Sequence, residues 1–277
     1  MKACCIQGAV FAVAYFAVPA VSQAALVQTT FNDNSTGSLN GQGGGTGFTG
    51  NWSGTGTISV GSGDLDAQPG VFYALNQSGT PQSVRGDFDG ARANSRSLAT
   101  ALTNDTIWFS FLVNQAGSES RGGIDLNPTV GSTGPTGFRI VGVGSALRII
   151  GGGDLNVANQ FTFGTTSAVI GRIDVDATGN DETLTIWVDP TTGSPGPDAV
   201  ITDRNFIGAG GLTALGIESY ISGGTSGGTV DLITFSDNAD GRADVGFVGV
   251  PEPSTLALGL FGLLSLAMIR QRQRKRA

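Results

Sequence analysis

Between residues 25 and 249 no long segment of this chain keeps a helical period. Short β-rich runs recur instead, separated by clusters of Gly, Asn, Asp, Ser and Pro. The clearest are 106–113 (TIWFSFLV), 137–143 (GFRIVGV), 146–150 (ALRII), 168–175 (AVIGRIDV), 182–188 (ETLTIWV), 212–221 (LTALGIESYI) and 229–235 (TVDLITF). Residues 183–188 alternate polar and apolar, with Trp187 on the Thr face, as a strand with one buried face does. Residues 107–113 are apolar on both faces and predict a central strand covered on both sides. The stretch 176–181 (DATGND) reads as a hairpin loop, and Asp189-Pro190 stops the strand that follows it. Many short strands with regular turn signals predict an all-β fold, an antiparallel β-sandwich or jelly roll, as one domain over 25–249. The Gly-rich stretch 34–61 is expected to be irregular, ordered in part through Phe48 and Trp52.

The two ends carry a different chemistry. Lys2, an apolar core at 8–18, Pro19 and the small residues Ser22 and Ala24 read as an N-terminal signal helix. Cleavage is expected between Ala24 and Ala25, so that residues 1–24 are a signal peptide. Both cysteines, Cys4 and Cys5, lie inside it, so the mature chain would hold no disulfide and no thiolate metal site. The whole chain has no His. That excludes Ser-His-Asp and Cys-His catalysis and His-ligated zinc. Residues 25–250 hold nine Arg, no Lys and 21 acidic side chains, a balance of −12. Such a body is a poor ligand for nucleic acid, whose phosphates need cationic partners.

At the other end the apolar run 256–269 spans roughly 21 Å as a helix, against about 30 Å for a bilayer core. Its flanks mark it as a transmembrane helix over 255–269. Pro251 and Pro253 stop a helix from starting earlier. Arg270, Arg272, Arg274, Lys275 and Arg276 follow at once as a cytoplasmic stop, obeying the positive-inside rule. The order Val-Pro-Glu-Pro-Ser, one short hydrophobic helix and an Arg-rich tail resembles the PEP-CTERM sorting signal. The resemblance covers 250–277. It implies Pro251, Glu252 and Pro253 as recognition motif, 255–269 as membrane segment and 270–277 as basic tail. It further implies an exosortase as processing partner, a transient anchor in the inner membrane and a final place at the cell surface or in its polysaccharide matrix.

Residues 105–247 resemble the closing half of a laminin-G or concanavalin A-like jelly roll. The carriers are "VIGRIDVDATGNDETLTIWVDPT", then "LTALGIESYISGG", then "GTVDLITFSDNADGRADV". Glucanases on that fold carry a Glu-x-Asp-x-x-Glu strand. None of Glu119, Glu182, Glu218 or Glu252 sits in that pattern, so no catalytic residue and no enzyme is expected. Calcium is the one cofactor the residues suggest. Asp237, Asp240 and Asp244 offer oxygen ligands around Gly241, and Asp174, Asp176 and Asp181 surround the hairpin. Solvated turn carboxylates give the same spacing. Trp52, Tyr73 and Trp187 are candidate aromatics for a carbohydrate. The expectation is an exported, non-catalytic structural or adhesive protein; a lectin-like carbohydrate-binding module is the alternative and a divergent glycosidase the third.

Overall fold

The computed structural model describes residues 26–247 apart from 55–56, 70, 72–74, 76–79, 87–91, 152–153, 177–180, 192–195 and 222–226. The proposed signal helix, transmembrane helix, PEP motif and basic tail, and Tyr73, lie outside the described residues. Among the described residues there are sixteen strands and no helix.

The strands run in chain order as follows. The first group is β1 (Leu26–Thr29), β2 (Gly37–Ser38), β3 (Phe48–Gly54), β4 (Ile58–Ser62), β5 (Gln82–Gly86) and β6 (Ala93–Leu102). Next come β7 (Thr106–Asn114), β8 (Ser120–Leu126), β9 (Phe138–Val143), β10 (Ala146–Ile150) and β11 (Leu155–Val157). The last are β12 (Thr166–Asp174), β13 (Glu182–Val188), β14 (Ala199–Arg204), β15 (Leu212–Ile221) and β16 (Thr229–Ser236).

They form two antiparallel sheets. The first has the order β14-β13-β12-β7-β16-β5-β4-β2, with β1 also paired to β16, and the second β11-β10-β9-β8-β15-β6-β3. From β5 to β8, and again from β14 to β16, the chain crosses between sheets at every step. Every second residue of each strand points inward. Ile107, Phe109, Phe111 and Val113 of β7 thereby meet Ile124 and Leu126 of β8 and Leu215 and Ile217 of β15 in one contiguous buried cluster. This is the antiparallel sandwich that the strand pattern predicts.

The seven strands read from sequence are all present, three with the same bounds. As expected, β7 is central, buried along 107–113 on both faces. The hairpin across 176–181 joins β12 to β13, with Asp174 opposite Thr183. Asp189, at φ 45°, ends β13 and accepts the Ala168 N–H at 2.7 Å. The expectation for 34–61 needs correction. This stretch contains β2, β3 and β4, and Trp52 of β3 is 1% exposed. Its ring packs between Phe31 and Phe48, at 6.1 and 5.7 Å, and Ile58 and Val60 of β4 join the same buried cluster.

A β-bulge shapes the middle of β16, where the pairing with β7 shifts between Asp231 and Thr234. Leu232 sits at φ 45°, and Asp231 accepts its N–H at 2.7 Å. Beyond the bulge β16 pairs with β1, and before it with β5.

Candidate functional site

The two outer faces of the sandwich differ. On the first sheet large apolar side chains point outward among polar ones such as Ser110 and Arg172, and two chain segments cover them. Leu65, Ala67, Val71 and Leu75 lie on Leu112, Ala168 and Leu232. The Leu65 N–H donates to the buried Asp231 carboxylate at 3.0 Å and holds this segment down. Val245 and Phe247 lie on Trp108, Ile170 and Trp187. Trp187 stacks on Trp108 at 5.8 Å with 16° between planes, and Phe247 leans on its other side at 5.8 Å.

On the second sheet the cross-strand partners place side chains in rows, because residues directly opposite share a face. One row runs Arg139 of β9, Asp125 of β8, Gly216 of β15 and Ser95 of β6. The next runs Asn156 of β11, Arg148 of β10, Val141 of β9, Gly123 of β8, Glu218 of β15 and Ala93 of β6. The third brings Arg121 of β8 beside Tyr220 of β15, with the guanidinium 4.8 Å from the ring centre. Among the described residues no apolar cluster forms on this face.

Glu218 is the electrostatic centre of this arrangement. It is fully buried, and neither carboxylate oxygen accepts a hydrogen bond. The nearest cation is Arg139 Nη1 at 3.6 Å, itself partly exposed. Burial pushes the carboxyl up to about 7, against the pull of Arg139, while Asp125 pushes the same way as burial. Burial also raises Asp125, opposed by the N–H groups of Gly137 and Thr136 and by Arg139. Desolvation, with the nearby Glu218, raises the Tyr220 phenol. Nε of Arg121 and Nε of Arg148 are buried without an acceptor. The face therefore carries three partly exposed guanidinium groups beside two carboxyls that burial holds toward their neutral forms.

None of these six side chains was singled out from the sequence. The available signal was a charge inside an otherwise apolar strand: Arg139 in "FRIVGV", Arg148 in "ALRII", Glu218 in "LTALGIESYI". What the sequence does not carry is the strand order that places β15 beside β8, some ninety residues earlier in the chain.

The residues that were singled out fall elsewhere. Trp52 is inside the core and offers no ring face to a ligand. Trp187, 9% exposed, is packing between Trp108 and Phe247. The Asp-rich stretch 237–244 forms part of the segment that covers the first sheet. Asp244 accepts the Ser236 hydroxyl at 2.8 Å, the Asp237 carbonyl accepts from Asn104 Nδ2 at 2.6 Å, and the Asp240 N–H donates to Asn238 Oδ1 at 3.2 Å. Asp174 pairs with Arg172 at 2.7 Å. Among the described residues no three carboxylates gather as a metal site, so neither calcium candidate is assembled there. The buried Glu182 has a structural role, accepting the N–H groups of Phe206 and Ile207 at 2.5 and 2.9 Å.

Solved structures with similar strand arrangements include the Emp46p carbohydrate recognition domain, at 10% identity and TM-score 0.40 over 66% of this chain and 89% of its own. Another is domain 4 of AbnA, an extracellular arabinanase from Geobacillus stearothermophilus in complex with arabinotriose. It has 13% identity and TM-score 0.39 over 82% of this chain and 99% of its own. Galectin LEC-6 of Caenorhabditis elegans has 15% identity and TM-score 0.33 over 50% of this chain and 89% of its own. Scores this low say nothing about ligands. No curated protein matches the sequence. The PEP-CTERM protein-sorting motif, in contrast, matches residues 249–275, and it marks the chain for export and for membrane-anchored sorting with processing by exosortase.

Proposed function

We propose that this chain is an exported precursor whose β-sandwich body serves as a non-catalytic structural or adhesive component of the cell surface or its matrix. The observation that carries the reading is the sorting motif at 249–275. In this account residues 1–24 are removed as a signal peptide and 255–269 tether the body at the membrane. Arg270 to Arg276 hold the tail in the cytoplasm until exosortase cuts at or near Pro251-Glu252-Pro253. Two prolines disfavour a helix within the motif sequence, which suits recognition by a processing enzyme. Glu252, its one charge, is proposed to pair with a cationic group of the processing enzyme.

The test is the intact mass of the protein recovered from the cell surface. The expected product starts at Ala25 and ends at or near 251–253. A full-length, soluble product in the cytosol would overturn the reading. Unchanged processing of Glu252→Gln would remove the proposed role of that carboxylate alone.

A second reading, that the body binds carbohydrate, is favoured by one observation. The outer face of the second sheet carries Arg121, Arg139 and Arg148 partly exposed, while the candidate aromatics Trp52 and Trp187 are engaged in packing. Under that reading the ligand lies across β8, β9, β10 and β15.

A further inference from the structure

We propose that the outer face of the second sheet binds an acidic polysaccharide, with the guanidinium groups of Arg121, Arg139 and Arg148 taking its carboxylates. The inference rests on the carbohydrate-binding reading of the body and names the class of glycan.

The first argument is the distribution of charge. The body holds nine Arg, no Lys and an excess of twelve acidic side chains. Three of those nine arginines stand on adjacent strands of this one face. Cations gathered there, on a molecule that otherwise repels anions, give the face a complementarity the rest of the surface lacks. The second argument is the state of those cations. Arg121 lies over Tyr220, and Arg139 has one imperfect contact at 3.6 Å with Glu218. All three arginine side chains are partly exposed, and a carboxylate fits a guanidinium fork in two-point fashion.

The third argument is spacing. Arg139, Val141 (the cross-strand partner of Arg148) and Val143 (the partner of Arg121) follow at two-residue steps along β9, so successive arginines stand about 7 Å apart along the strands. A duplex nucleic acid carries one charge per about 1.7 Å and calls for a dense cationic strip. A polymer with one carboxylate per sugar places its charges sparsely, as these arginines are placed. The groups facing Glu218 are Arg121 and Asp125 from β8, Arg139 from β9 and Tyr220 from β15. With its carboxyl near 7, Glu218 competes for Arg139 in mild alkali and releases it in mild acid.

The test uses the full chain in detergent, in affinity electrophoresis through polygalacturonate and, separately, through neutral dextran of similar length. Because Arg270, Arg272, Arg274, Lys275 and Arg276 would hold any polyanion, both arms use a version with these five replaced by Gln. Retardation by polygalacturonate and not by dextran is expected. It should weaken as salt rises, and strengthen from pH 8 to pH 6 in a manner that Glu218→Gln abolishes. Replacing Arg121, Arg139 and Arg148 together by Gln should weaken it at least about tenfold. Should that triple variant misfold, Arg148→Gln alone, on a partly exposed side chain, should weaken retention and Arg148→Lys should restore part of it. Equal retention by dextran, no retention by either polymer, or retention unaffected by the arginine substitutions would overturn the proposal. Equal retention by dextran would leave the carbohydrate-binding reading standing; loss of both would remove it as well. Neither result touches the sorting account, which the surface mass decides.

Discussion

The two outer faces of this sandwich are built from strands of one fold yet solve opposite problems. On the first sheet, Trp108, Leu112, Ile170, Trp187 and Leu232 point outward and would be exposed apolar surface if left alone. The chain spends two segments, around 65–75 and 239–247, on covering them. Burying a large apolar side chain contributes about 1.5–3 kcal/mol, so this face is a second core. On the second sheet, Arg121, Asp125, Arg139, Arg148, Glu218 and Tyr220 point outward; the loop at 128–137 lies over Asp125, with the Thr136 N–H donating to it at 3.0 Å, and no apolar cluster covers the row among the described residues. Partly exposed ion pairs contribute about 0–1 kcal/mol, and a desolvated carboxyl works against the fold. The first face holds the molecule together. The second carries charge that its burial makes costly.

The largest expected effect tests the first half of that contrast. Trp187→Ala removes a ring held between Trp108 and Phe247, and should cost about 3–5 kcal/mol in chemical denaturation. That is a large share of the roughly 5–15 kcal/mol of an ordinary domain. A loss under about 1 kcal/mol would mean that the covering segment does not pack as described, and that the two faces are less different than they look.

The next effect tests the second half. Glu218 has its carboxyl raised from 4.5 to about 7 by burial. The folded state therefore holds this proton more tightly than the unfolded state does. Its contribution is complete below about pH 4.5 and is lost as pH rises through about 7, an upper bound of about 3 kcal/mol. Stability should fall across that window, and Glu218→Gln should flatten the fall. A residue of the slope should remain, because Asp125 is shifted in the same direction. Melting temperatures of the two proteins at pH 5 and pH 8 decide it. Parallel curves would mean that Glu218 is solvated and the face is an ordinary wet surface.

The contrast also explains what could be read from the sequence. The middle of the first sheet, β7, β12, β13 and β16, was legible, because covered strands such as β7 and β12 are apolar on both faces and stand out from the turns, while β1, β2, β4, β5 and β14 were not. The segments that cover it were not. Residues 237–244 look like a loop of oxygen donors, and only the packing of Val245 and Phe247 shows that the stretch is a strap. On the second sheet, β9, β10 and β15 were legible through their inward Ile, Leu and Val, while β6 and β8 were not. "ANSRSLATAL" and "SRGGIDL" spend their outward positions on polar residues or Gly, so the β signal falls to half strength where the face has to remain open. β3 and β4 were hidden by glycine, though Trp52 already marked the place. The candidate face was missed for a different reason: it is a product of strand order, and no local pattern reports that Tyr220 will stand beside Arg121.

The smallest effect compares the faces through one kind of contact. Arg242 lies 3.9 Å from the Phe247 ring centre on the covered face, and Arg121 lies 4.8 Å from the Tyr220 ring centre on the open one. Burial lowers the Arg242 guanidinium, as expected of a cation drawn against a fixed aromatic. Truncating it takes away a desolvated cation–π contact and the aliphatic stem that seals the strap, so Arg242→Ala should cost about 1–2 kcal/mol. Arg121→Ala removes the same type of contact from a face that no strap depends on, and should cost about 0.5–1 kcal/mol. Denaturation midpoints of the two variants, measured at one ionic strength, give the order directly. The order matters more than either value. If Arg121→Ala is the more damaging, the guanidinium is already committed to holding the fold together, and the second sheet would then be a second capped face, with arginine as its cap.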